Sequence, residues 1–392
     1  MPSRRLFALF LLVSALATVL SAQSADEFLI PSAESGGLGG PHGATGVGFE
    51  ALFSNPAGLA GSESQFSLSE LTISSRGPVF SIASLVIQAI GGADVPTLLL
   101  SPDVQSLLQS LSTELEVLGP LSFGYVGDGM GYGIYNSTEL LVENVGISDL
   151  EARLGERFVF RGGYGLTIPL PESSPDRFTL GIGIKGFVRG DVVIGTSLLA
   201  LPSLIGSLGP DLLATSPFEL QSGIGLDLGA RYNFGDVLAA SLTVEDLYAP
   251  TARLRYTSTN DFLGGGASPA ESDYQTLPQR INLGLAYTPD LGVVSRYVQD
   301  LTVLFDYRDI LDFWINPSGG ENLVLKFGLG VEATLLEVLA IRGGFSDGLY
   351  AAGLGLDLSV VELNAAMYGS ELSGEPGLRP QYNIVIGLEF RN

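Results

Sequence analysis

Period-two alternation runs along almost the whole chain and restricts its fold more than any other feature. In one stretch Phe178, Leu180, Ile182, Ile184 and Val188 share a face, while Thr179, Gly181, Gly183, Lys185, Phe187 and Arg189 share the other. A second stretch repeats the pattern. Leu220, Ile224, Leu226, Leu228, Ala230, Tyr232 and Phe234 alternate with Gln221, Gly223, Gly225, Asp227, Gly229, Arg231 and Asn233. Leu301, Val303, Phe305 and Tyr307 alternate with Thr302, Asp306 and Arg308, and Leu323 to Val331 with Lys326, Gly328, Gly330 and Glu332. Successive side chains of a strand point to opposite faces, so each stretch is a strand with one apolar face. The charged residues almost always share their face with glycine. A soluble sandwich would carry many more charges on its exterior. A glycine-rich, sparsely charged face suits a crowded lumen instead, because glycine admits another backbone at close range.

Apolar types make up 46% of the 392 residues and charged types only 16%. Yet no mature stretch offers the roughly 20 predominantly apolar residues of a spanning helix. Val192 to Pro210 is uncharged but broken by Pro202, Gly195, Gly206 and Gly209. High apolar content without such helices leaves a closed barrel, which satisfies its own backbone in lipid. The expected fold is an all-β, antiparallel transmembrane β-barrel of about 14 strands (14 to 16). Tight turns at Gly127-Asp128-Gly129 and Ser346-Asp347-Gly348 separate several of them. Two leucine-rich segments, Leu98 to Leu118 and Leu198 to Leu213, read as short helices, the first with Leu107, Leu108, Leu111 and Leu115 on one stripe.

The first residues form a secretory signal: Arg4 and Arg5, an apolar Leu6 to Leu20, then small residues with cleavage after Ala22 or Ser24. The expected organisation is therefore a signal peptide over 1–24, an N-terminal plug over 25–63 and the barrel over 64–392. No cysteine occurs, which excludes a lipoprotein anchor and a disulfide framework. The net charge of −23 repels phosphates and argues against nucleic acid as a partner. With one histidine and no cysteine, no metal-site spacing is present, and no cofactor or catalytic residue is expected. His42 reads as a plug residue, and Asp306 with Arg308 as a structural ion pair. The last strand carries Tyr382, Ile384, Ile386, Leu388 and Phe390 on one face, and its aromatic near the end resembles the assembly signal read by the barrel assembly machinery. Arg391 and Asn392 after Phe390 depart from the usual form.

Between the signal and the first strand lies a glycine-dense segment from Gly36 to Leu59. It lacks the Gly-Lys-Ser/Thr and the strand–helix context of a phosphate loop. Gly46 and Gly48, followed by Asn55-Pro56-Ala57-Gly58, resemble the N-terminal hatch of FadL-type fatty-acid transporters and PorV-like outer-membrane proteins. Asp306 to Asp309, Phe327 to Glu332, Ile341 to Gly348 and Ala352 to Asp357 look like a spirochaete branch of these families. The resemblance implies a barrel of about 14 strands, plugged by a hatch whose Asn-Pro-Ala element sits near the wall, with hydrophobic ligands leaving sideways. It implies an outer-membrane location in a diderm bacterium and contacts with outer-membrane lipid. The implied function is transport of hydrophobic compounds such as long-chain fatty acids; the alternative is a structural or secretion-associated barrel of the PorV type that binds envelope proteins. One departure stands out. Counting strands back from Phe390 puts both leucine-rich segments at the periplasmic end, whereas FadL-type proteins gather ligand in extracellular helical loops. Either the count is off by one or cargo is handled differently.

Overall fold

The computed structural model describes residues 28–78, 101–109, 111–146, 149–171, 173–197, 209–312 and 320–391, with scattered positions between them. The signal segment 1–24 and most of Leu198 to Leu213 lie outside the described residues. Seventeen strand segments make one sheet that closes on itself. Three pairs of segments share the same neighbours and count as single strands, which gives a 14-stranded antiparallel barrel, as expected from the alternation. In chain order the strands are β1 (Gln65–Arg76), β2 (Ser112–Leu118 and Phe123–Gly127), β3 (Met130–Asn144), β4 (Asp149–Ile168), β5 (Arg177–Ser197), β6 (Phe218–Phe234) and β7 (Leu238–Tyr248 and Pro250–Tyr256). They continue with β8 (Glu271–Thr276 and Arg280–Tyr287), β9 (Val298–Tyr307), β10 (Phe327–Leu335), β11 (Leu339–Ser346), β12 (Leu349–Asp357), β13 (Val361–Glu371) and β14 (Pro380–Arg391). Closure is by β1 on β14, with Arg76 opposite Asn383 and Ser69 opposite Phe390. Among the described residues no strand edge is left to pair with another chain.

The two faces differ as lipid and lumen should. Ile182, Ile184 and Val188 of β5 point outward and are about half exposed, whereas Lys185, Arg189 and Asp191 on the other face are buried. An apolar belt exposed all round a molecule is untenable in water and is what a membrane-spanning barrel requires. Strands β4 and β5 are 20 and 21 residues long. About 9–11 tilted residues suffice to cross a bilayer, so this part of the wall projects beyond it. Among the described residues no helix is long and apolar enough to cross a membrane.

The barrel has two distinct ends. Arg391 lies at the turn end, where Asp128 and Gly129 make a two-residue hairpin with φ of 54° and 79°. The connections 77–111, 198–217, 257–270 and 308–326 all join strands at the opposite, loop end. The connections that carry the leucine-rich segments therefore join strands at the end away from Phe390, and the sequence count was off by one strand. The first of them is also not helical throughout. Helix α1 spans Pro102–Gln109, but Ser112–Leu118 pairs with β1 and β3 as the first half of β2. Leu111 and Leu115 are four residues apart, a spacing that shares a face in a helix and in a strand alike. Alternation of Glu114 and Glu116 with Leu115 and Val117 settles it as strand. In the second segment a helix, α2, spans Pro210–Thr215. A further correction concerns Leu323 and Leu325, which belong to a helical turn, α3 (Leu323–Lys326), rather than to a strand. Asn322 caps that turn by accepting from Val324 N at 3.1 Å.

Candidate functional site: the lumen and its hatch

Residues 28–62 lie against the inward face of the barrel. Asn55 occupies the centre of this hatch. The following proline restricts it to extended backbone, and its φ of −154° and ψ of 112° comply. Pro56 opens a 3-10 turn, Pro56–Gly61, whose first free amide, Ala57 N, donates to Asn55 Oδ1 at 3.0 Å. Asn55 Nδ2 donates to Gly43 O at 3.1 Å and to Ala230 O of β6 at 3.2 Å. One fully buried amide thus caps a turn, ties two hatch segments together and fixes both to the wall. Gly46 and Gly58 face each other so closely that a methyl group on Gly58 would overlap the Gly46 carbonyl oxygen. Gly48 adopts a left-handed φ of 60° and donates to Ser62 Oγ at 2.7 Å.

Wall glycines make room for the hatch backbone. A side chain at Gly181 of β5 would collide with the Pro56 carbonyl carbon, and one at Gly344 of β11 with the Leu38 carbonyl. The inward charges hold the hatch by its carbonyls. Arg161 donates to Phe28 O at 2.7 Å and 3.1 Å, and Arg231 donates to Gly46 O at 3.1 Å. Arg342 lies 3.4 Å from Glu34. Apolar contacts complete the seat: Leu59 with Leu52, Phe49 and Val126, and Phe28 edge-on to Phe187 with Tyr135 and Val159 nearby. His42 is buried in the hatch, with Nδ1 on Asp306 of β9 and Nε2 3.1 Å from Leu38 O. Asp306 also accepts from Gly43 N at 3.3 Å. The expected Asp306–Arg308 pair is absent. Arg308 instead reaches Ser346 Oγ at 2.6 Å and Asp347 at 3.0 Å. Residues two apart on one strand share a face, but here the hatch draws the acid inward and the loop end takes the arginine.

Beside the hatch remains a cavity of about 1430 Å³. Its floor is apolar, with Ile30, Phe49, Phe53, Tyr135 and Phe187, and its walls are ionic. The lining reaches from Arg391 at the turn end to Glu371 and Arg379 at the loop end. Glu114, Glu116 and Glu139 approach one another closely enough to suggest a metal site, but Arg76, Arg157 and Arg189 meet them and supply the positive charge. Burial pushes the hatch carboxyls Glu34 and Glu50 up from the ordinary 4.5; Arg342 pulls Glu34 back, while neighbouring Glu34 adds to the shift of Glu50. Sequence reasoning marked Gly46, Gly48 and Asn55 to Gly58, and the structure brings all of them into one seat. It set Arg231 on the glycine-rich inward face without tying it to the hatch, and it missed Arg161 and Arg342, whose signal was present: cations on inward faces that also carry glycine. Tyr382, Ile384, Ile386, Leu388 and Phe390 lie on the outward face of β14, remote from the hatch.

No family model matches the chain, and no curated protein matches it. Solved structures do. The structural neighbours include two toluene transporters and a FadL homologue. The toluene transporter TodX of Pseudomonas putida is 14% identical, over 92% of this chain and 98% of that one, with a TM-score of 0.47. The Ralstonia pickettii toluene transporter TbuX is 12% identical over 91% and 98%, with a TM-score of 0.46. A Pseudomonas aeruginosa FadL homologue is 12% identical over 93% and 99%, with a TM-score of 0.43. Likeness at this level does not transfer those proteins' cargo to this chain.

Proposed function

We propose that this chain is an outer-membrane channel that passes hydrophobic compounds, with the hatch setting the path. The carrying observation is the coexistence of a seated hatch and a cavity beside it that combines an aromatic floor with polar walls. An open porin would leave its lumen to water, whereas here the hatch backbone is pressed into rows of glycine. An enzymatic reading has little to stand on. His42 Nε2, the atom that would accept a proton from a nucleophile, faces the Leu38 carbonyl instead. The two ends fit the same picture, with most connections at the Phe390 end short and the α-helical segments α1 to α3 on the opposite side, where cargo would arrive.

The test is uptake by diderm cells that carry or lack the protein, offered labelled toluene and a labelled long-chain fatty acid. Uptake of at least one should depend on the protein, and Asn55→Ala with Pro56→Gly should change it without reducing the amount of folded barrel. Uptake that never exceeds that of cells lacking the protein contradicts the transport reading. Unchanged uptake together with loss of a co-purifying envelope protein favours the PorV-type alternative.

A further inference from the structure

We propose that the cavity beside the hatch admits uncharged or cationic amphiphiles and turns away carboxylates, so that fatty-acid anions are not its cargo. This rests on the channel reading and names its substrate class. Among the described residues that line the cavity, acidic side chains outnumber basic ones by seventeen to ten. Nine of these ten basic groups are held by acids already, the exception among the described residues being Arg379 at the loop end. Arg391 lies 2.5 Å from both Glu362 and Glu389, and Lys326 lies 2.8 Å from Asp312 and 3.7 Å from Asp309. A ligand carboxylate would have to displace one of these partners while facing the remaining excess of negative charge. An ammonium or hydroxyl head meets no such barrier.

The arrangement along the path sharpens the point. Glu362, Glu389 and Glu70 are register partners on the adjacent strands β13, β14 and β1, so they form one lateral row on the wall. Glu34 and Glu50 line the same cavity from the hatch side. Wall row and hatch carboxyls thus line one shared space. The apolar floor of Ile30, Phe49, Phe53 and Phe187 suits a hydrocarbon tail, so both halves of an amphiphile have a place. Like charges in a confined, low-dielectric space repel far more strongly than in water, so the discrimination between head groups is large.

Equilibrium dialysis tests this on the whole protein in phosphatidylcholine nanodiscs, with empty nanodiscs subtracted. The probes are octylammonium, octanol and octanoate, each radiolabelled. Octylammonium and octanol should bind above background, and octanoate about tenfold more weakly than octylammonium. Glu362→Gln combined with Glu389→Gln should narrow that gap, in a preparation whose heat-modifiable gel band shows that the barrel is folded. Octanoate binding as tightly as octylammonium overturns the proposal and leaves the channel reading standing. An unchanged gap in the folded double variant shows that these carboxylates do not set the preference and overturns it too. Binding of none of the three removes both this proposal and the hydrophobic-channel reading.

Discussion

Asn55 has four hydrogen-bonding places at its amide and uses three of them, on Gly43 O, Ala230 O and Ala57 N. Its replacement by alanine takes this partner from Gly43 O and Ala57 N in a buried setting, at a cost of about 1–3 kcal/mol for unsatisfied groups of this kind, while Ala230 O keeps its place in the ladder. The barrel ladder is untouched, so the loss falls on the hatch. Asn55→Ala is expected to speed amide hydrogen exchange across residues 42–62 by at least about tenfold, with exchange in the strands unchanged. Equal exchange in the two proteins would show that the amide is not the anchor. The hatch carboxyls give a second residue-scale expectation. Glu50 faces Glu34, Glu332, Arg342 and Asp306, and Glu34 faces Arg342, Glu332, Glu362 and Arg391. Both hold their protons more tightly in the seated hatch than in solution. A carboxyl raised in this way favours the seated state below 4.5 and loses that contribution as pH rises towards its folded value. Protease cleavage within residues 28–62 should therefore be slowest near pH 4.5 and faster at pH 8. A protease-resistant hatch at both values contradicts it. Sequence alone marked Asn55 through its proline and its motif, whereas His42–Asp306 was not visible, because a contact 264 residues apart in the chain leaves no local trace.

At the scale of elements, strands read well where two criteria agreed and poorly where only one was applied. In β5 the apolar face and the glycine-and-charge face separate cleanly, because outward positions meet lipid and inward ones meet the hatch. In Leu98 to Leu118 a spacing of four residues was taken for a helix, although only Pro102–Gln109 is one and the alternating glutamates belong to β2. Glu114 and Glu116 look like a solvated surface until closure of the barrel puts Arg76 and Arg157 opposite them. The last strand yields its own expectation. Phe390 is on the outward face at the turn end, 42% exposed, and contributes nothing to the lumen. If it serves barrel assembly, Phe390→Ala should lower the yield of heat-modifiable, membrane-inserted barrel while leaving the small folded fraction with normal hatch protection. A full yield of inserted protein would separate Phe390 from assembly.

For the whole molecule, closure is what turns a set of alternating stretches into a lumen, and the lumen is what gives the glycines their purpose. The fold class was legible because lipid on one side and a packed backbone on the other impose a two-residue period on nearly every strand. The direction of each strand was not, since one miscounted strand reverses the end at which every later loop falls. The ionic character of the cavity was hidden for a related reason: charges sparse on any one strand converge when 14 strands surround one space. The central claim is that the seated hatch controls passage of hydrophobic compounds, and the absence of native cysteine makes it directly testable. A Cβ at Gly43 would lie 3.0 Å from Ser241 Oγ and 3.4 Å from Thr243 Oγ1, so cysteines at 43 and 243 would have neighbouring side chains. Gly43→Cys with Thr243→Cys should therefore lock the hatch to β7 on oxidation. Uptake of the labelled hydrocarbon by cells carrying this variant should fall to the level of cells lacking the protein when the bond is formed, and return when it is reduced. Full uptake through the cross-linked protein would contradict the claim.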